Sequence, residues 1–159
     1  MAKPTTEGRE RLPLSKAAEL LLEECRMVLP GIQALFGFQL IATFNETFAR
    51  KLSPSEQRLH LLSIVLVATA VVLIMTPASY HRLSGAREVT ETFIRISTRL
   101  LLASMAPLAF GLCIEFYLIA RLILGGAFPA AILSIALLML FVILWIVFPW
   151  AHVRRGSAR

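Results

Sequence analysis

The sequence predicts an all-α integral membrane protein, a four-helix bundle that crosses the bilayer four times with both termini in the cytoplasm. Two observations carry this. Of 159 residues, 57% are apolar and only 16% charged, against roughly 25% charged in soluble domains. The charges are also segregated: of 16 Lys and Arg and 10 Asp and Glu residues, only Glu46 and Glu115 fall within residues 28–49, 59–81, 100–120 and 122–153. Each of those runs has about 20 residues or more, enough at 1.5 Å per residue to cross a hydrocarbon core of about 30 Å.

Residues 1–14 are polar and rich in turn formers, which predicts a disordered cytoplasmic tail ahead of a four-span domain over residues 15–150. The first 27 residues, with their several Glu, Lys and Arg, have no apolar core with a cleavage site behind it, so the first span reads as an uncleaved anchor. From Leu14, the positions Ala18, Leu21, Cys25 and Val28 recur at alternating steps of four and three, with Lys16, Glu19, Glu23 and Arg26 on another face. That pattern is an amphipathic helix leading into span one, which either packs on a neighbour or lies in the membrane interface.

Span one runs over about 28–48, with Pro30-Gly31 expected to bend or loosen it. Ser53-Pro54-Ser55-Glu56 then supplies an N-cap, a first-turn proline and a glutamate three residues past the cap, a helix start. Span two covers about 59–80 and should bend or stop at Pro77. Between Arg82 and Arg99, Val89, Phe93, Ile96 and Leu100 keep one face apolar, so span three (99–124) begins as a cytoplasmic helix. Pro107 interrupts it, and Ala103, Pro107 and Gly111 form a small-residue ridge suited to close helix packing. Gly125-Gly126 gives a tight turn into span four (129–150), whose one polar side chain is Ser134. A basic tail, residues 151–159, follows. Cys25 and Cys113 are too far apart along this topology to bridge and read as packing thiols.

The net charge of +6 and pI of about 10.2 do not indicate nucleic acid, because the cations flank apolar runs instead of forming one patch. With both termini inside, 12 Lys and Arg fall on the inner side and four on the outer, as the positive-inside rule requires. Trp145 and Trp150, followed by His152, Arg154 and Arg155, fit an inner-interface belt. Arg82, Arg87, Arg95, Arg99, Arg154 and Arg155 can hold anionic head groups at that face, although topology alone also accounts for them.

An ionisable residue inside a span costs roughly 2.5 to 3.5 kcal/mol at the helix centre, so it demands a partner or water. Glu115, about 24 Å along the helix from Arg99, is the clearest case. In span one Gln39, Thr43, Glu46 and Arg50 follow one seam, with Glu46 and Arg50 spaced as an i, i+4 pair. Spans one and three run in the same direction, so Gln39, Asn45, Glu46, Glu115 and Arg121 are expected to share a polar region in the outer half, with His60 nearby at the surface. Such a region is either interhelical glue with satisfied hydrogen bonds or an ion or proton site.

No catalytic signature is visible, and no cofactor or metal site is expected. The chain contains no Asp, and the phosphate-loop, dinucleotide, nucleophile-elbow and H-E-x-x-H patterns are missing. His60 and His81 have no ligand at metal spacing. The function expected is a structural or accessory membrane role through helix contacts, with the bilayer and a homo-oligomer as partners. The alternative is an ion or proton conduit at a subunit interface around Gln39, Glu46 and Glu115.

Several strings carry a resemblance: E-C-R-M-V-L-P-G-I-Q over residues 24–33, F-G-F-Q-L over 36–40, L-S-P at 52–54 through Gln57, and T-P-A-S-Y-H-R over 76–82. Over roughly residues 17–150 the chain resembles the DUF6328 family of small bacterial membrane proteins. The resemblance implies four spans and a bacterial inner membrane, and brings no established activity or site residues. Members are sometimes labelled sodium:proton antiporter, yet this chain lacks Asp, and one polar pair in four helices is thin for alternating access.

Overall fold

The computed structural model describes residues 13–83 and 90–151. The expected N-terminal tail lies largely outside that range, as do residues 84–89, Arg87 and Val89 among them, and the basic C-terminal tail after Ala151. Four helices are long and apolar enough to cross a membrane: Leu14–Thr43, Pro54–Leu83, Glu91–Leu124 and Ala127–Ala151. No strand occurs among the described residues. We label them α1 (Leu14–Thr43), α3 (Pro54–Leu83), α4 (Glu91–Leu124) and α5 (Ala127–Val142), with a short α2 (Glu46–Lys51) between α1 and α3. At 30 residues for α1 and 34 for α4, both exceed the roughly 20 needed to span the hydrocarbon core. This agrees with helical extensions continuous with spans one and three.

Proline does less to these helices than the sequence suggests. Pro30, Pro77 and Pro107 all lie inside unbroken helices, so α3 continues past Pro77 to Leu83 instead of stopping. Span one, in contrast, ends before 48. Thr43 turns its hydroxyl back to the Leu40 carbonyl at 2.7 Å, and the Phe44 amide bonds the Ile41 carbonyl three residues back. Side chain and tightened backbone together close α1. Asn45 then separates it from α2.

The Ser53 start signal is realised as a capping contact: Glu56 Oε2 accepts the Ser53 amide at 2.8 Å and the Ser53 hydroxyl at 2.5 Å. Thr90 caps α4 by accepting the Phe93 amide at 3.2 Å. Gly125, at φ 67°, closes α4 in the left-handed region, its amide bonding the Arg121 carbonyl. Gly125→Ala should therefore cost about 1 kcal/mol through backbone strain alone, since an added Cβ meets no atom within 4 Å. Thermal unfolding in detergent measures it.

The core is a seam. On α3 the buried residues are Glu56, His60, Ser63, Val67, Ala70, Ile74 and Pro77, at alternating steps of four and three, the spacing of a knobs-into-holes interface. On α4, Ser97, Ser104, Gly111 and Leu118 are buried at steps of seven, with Leu101 and Leu108 packed between them. The α1 stripe continues through Ala18, Leu21, Cys25, Ile32 and Gln39, while Leu14 and Val28 at its expected ends are exposed. Small residues on α3 and α4 allow close approach, which membrane helices need because lipid is as apolar as leucine. Of the expected ridge on α4, Gly111 alone is buried; Ala103 is exposed and Pro107 intermediate.

The antiparallel pair α3–α4 forms the centre, with α1 against both and α5 against α4. Tyr80 stacks on Phe93 at 5.7 Å and His81 lies at the same distance from that ring, joining the ends of α3 and α4. Among the described residues of α5 only Ala130 is buried. Ser134 donates to the Cys113 carbonyl of α4 at 2.7 Å. The last helix also holds a π-helical turn, Ile143–Val147, in which the Phe148 amide bonds the Ile143 carbonyl. Both cysteines are free and buried.

Candidate functional site

The site lies where the seams of α1, α3 and α4 meet. Its position follows from spacing: Gln39 ends the α1 stripe, His60 and Ser63 occupy adjacent seam positions on α3, and Glu115 sits between Gly111 and Leu118 on α4. His60 Nδ1 is 2.7 Å from Glu115 Oε1, and Nε2 is 3.1 Å from the Gln39 main-chain oxygen. Ser63 Oγ is hydrogen-bonded to Glu115 Oε1, lies 2.7 Å from the His60 carbonyl and accepts from Gln39 Nε2 at 3.3 Å. Three helices are thus tied by one polar cluster.

The cluster is buried and borders a cavity. Gln39 and His60 are each 3% exposed, and Phe48 of α2 lays its ring against the His60 ring at 4.9 Å. A cavity of about 220 Å³ is lined by Gln39, His60 and Glu115 together with apolar side chains, Phe48 and Leu52 among them. Gln39 Oε1 is buried with no hydrogen-bond partner. An unsatisfied buried acceptor costs about 1 to 3 kcal/mol and is the kind of group that accompanies a function.

Of the residues expected to share a region, Gln39 and Glu115 come together. Arg121 does not join them: it pairs with Glu56, whose other carboxylate oxygen holds Ser53, so the loop before α3 is fastened to α4. The expected grouping of Glu46 with Glu115 is not formed. Because α1 stops at Thr43, the seam Gln39, Thr43, Glu46 and Arg50 does not continue as one helical face. Glu46 instead pairs with Arg50 at 2.6 Å on α2, both exposed, and with Asn45 they line a separate, open cavity of about 420 Å³.

Exposure weakens such a pair. Glu46→Gln should leave the thermal unfolding midpoint in detergent unchanged within error; a clear drop would mean that α2 is held by that ion pair.

His60, expected near this region at the surface, is instead buried within it, and Ser63 is the member of the cluster that the sequence reading does not single out. His60 reads as a surface flank because it stands one residue inside an apolar run. The signal available was the repeat of polar and small residues at Glu56, His60, Ser63 and Ala70, in step with the seam. Among the described residues no group of three or more His, Cys, Asp or Glu could hold a metal ion.

The family model for DUF6328, a family of unknown function, matches residues 10–149. The chain belongs to the DUF6328 family. No curated protein and no solved structure matches it. With four membrane-capable helices, this DUF6328 chain is a multi-pass membrane protein, and its polar cluster is built from the family-matched region.

Proposed function

We propose that this DUF6328 protein is a small accessory component of a bacterial inner membrane, with both termini cytoplasmic, that acts through helix contacts and associates with further copies of itself. The observation that carries the reading is the internal satisfaction of Glu115, the one charged residue near the middle of α4, by His60 and Ser63. A carboxylate bonded across α3 and α4, with its histidine bonded to α1, behaves as interhelical glue. Exposed Ile135, Met139 and Ile146 on the last helix leave a face for lipid or a second copy. In this reading no reaction is catalysed, no cofactor is held, and exposed Arg82, Arg95 and Arg99 meet anionic head groups at the cytoplasmic face.

The test is cross-linking in native membranes, in a Cys25→Ser, Cys113→Ser background with Ile135→Cys. A covalent dimer is expected, whereas monomer alone there and at Met139→Cys and Ile146→Cys counts against self-association through α5. A reporter active only in the periplasm, fused to the C-terminus, should stay silent.

A second reading, an ion or proton conduit using Glu115, is favoured by a specific observation: Gln39 Oε1 lacks a donor beside a cavity that Glu115 and His60 also line. Purified protein in liposomes loaded with a pH-sensitive dye tests it. Ion-dependent flux abolished by Glu115→Gln supports the conduit, and no flux in the unaltered protein removes it.

A further inference from the structure

The hydrogen bonds around His60 fix the state of one ring nitrogen. Nε2 faces the main-chain oxygen of Gln39 at 3.1 Å, a group with lone pairs and no proton, so Nε2 must carry the hydrogen. Nδ1 faces Glu115 Oε1 at 2.7 Å. At that distance two lone pairs would repel, so a proton lies between them.

Two arrangements supply it. In one, an imidazolium donates to a carboxylate; in the other, a carboxylic acid donates to a neutral imidazole. Both contain the same atoms and carry zero net charge, and they differ only in the position of one proton along one hydrogen bond. Ser63 suits either, because its single hydroxyl proton has two acceptors, Glu115 Oε1 and the His60 carbonyl, while its oxygen takes the Gln39 amide.

We infer that His60 and Glu115 together form a binding site for one exchangeable proton, held between Nδ1 and Oε1, with the Gln39 carbonyl selecting the nitrogen that takes part. The inference rests on the conduit reading and names its cargo: one proton per chain. His60 is then a full partner in the site, and Glu46 has no part in it.

Release of the proton leaves a carboxylate beside a neutral Nε2–H imidazole, with opposed lone pairs and one uncompensated negative charge. A proton exchanged at this pair travels by way of water. The cavity of about 220 Å³ at the pair has room for several waters at about 30 Å³ each. Phe48 and Leu52 stand in its wall, so a small displacement of α2 and the turn after it would widen the way in. The ionisable neighbours on the packed elements are already matched: Glu56 with Arg121 across α3 and α4, and Glu46 with Arg50 on α2. From α1 the pair meets the uncharged Gln39.

The test uses the full chain in lipid nanodiscs, with nitrogen-15 spectra of His60 recorded over the pH range in which the protein stays folded. Nε2 is expected to remain protonated throughout, with Nδ1 giving the signal of a nitrogen sharing a proton. Glu115→Gln keeps the shape and supplies a fixed amide donor, so it should convert Nδ1 to a plain acceptor and leave Nε2 unchanged. A bare Nε2 at any such pH, or an Nδ1 signal indifferent to this substitution, overturns the inference.

Where Glu115→Gln does not insert, Ser63→Ala serves. It removes a donor to the carboxylate and should shift the proton from nitrogen toward oxygen; no movement of the Nδ1 signal overturns the site. Proteoliposome flux separates this inference from the conduit reading. A shared proton without flux leaves the site standing and removes the conduit. With flux present, Glu115→Gln should reduce it by about tenfold or more, and unreduced flux denies the pair its role as carrier.

Discussion

Glu115→Ala is expected to destabilise the protein by about 2 to 4 kcal/mol. The substitution removes the partner of His60 Nδ1 and an acceptor of the Ser63 hydroxyl together, leaving a buried imidazole nitrogen facing a new void. A hydrogen bond between membrane helices alone averages about 0.6 kcal/mol, so most of the loss comes from stranding the buried polar groups. Glu115→Gln, whose amide nitrogen in the place of Oε1 can donate to His60 Nδ1 while the Ser63 hydroxyl turns to the His60 carbonyl, should recover most of it. Thermal unfolding of the three proteins in one detergent decides the matter: equal losses for alanine and glutamine would show that charge, not hydrogen bonding, holds the cluster.

The second large effect belongs to Gly111. A Cβ there would lie 2.9 Å from Val67 Cγ2 and 3.2 Å from the Ser63 main-chain oxygen. The side-chain contact can relax, but the backbone oxygen can move only if α3 moves. Gly111→Ala should cost about 1 to 3 kcal/mol through overpacking, and Gly111→Leu should prevent α3 and α4 from closing. A double-mutant cycle tests the geometry: Val67→Ala should return part of the Gly111→Ala loss, and none of it if the carbonyl is the sole obstacle. Because Ser63 sits at this crossing, Gly111→Ala should also shift the nitrogen-15 signals of His60.

The four crossings were legible because segregation of charge survives any detail of packing. The turn at Gly125, the cap at Ser53 and the Glu46–Arg50 spacing were legible because each depends on a few neighbouring residues. The partner of Glu115 was not. In a soluble helix the buried face stands out by hydrophobicity, but in α3 the face toward lipid is as apolar as the face toward α4, so Val67 and Ile74 look no different from Val65 and Val72. The grouping with Glu46 failed for a local reason. It assumed a continuous helix through Thr43 and Asn45, where a hydroxyl and an asparagine offer the backbone competing hydrogen bonds.

The π-helical turn in the last crossing bears on how that helix is rotated about its own axis. In a uniform α-helix, Trp145 and Trp150 would point about 140° apart, being five residues distant at 3.6 per turn. The π turn over Ile143–Val147 lowers the rotation per residue in part of that interval, and Trp145 and Trp150 border a single groove against α4. Two interface-seeking rings on one flank act like a keel: they set which side of the helix meets the head groups. Straightening that turn would swing one indole toward the acyl chains and so rotate the C-terminal end of the protein relative to the membrane surface.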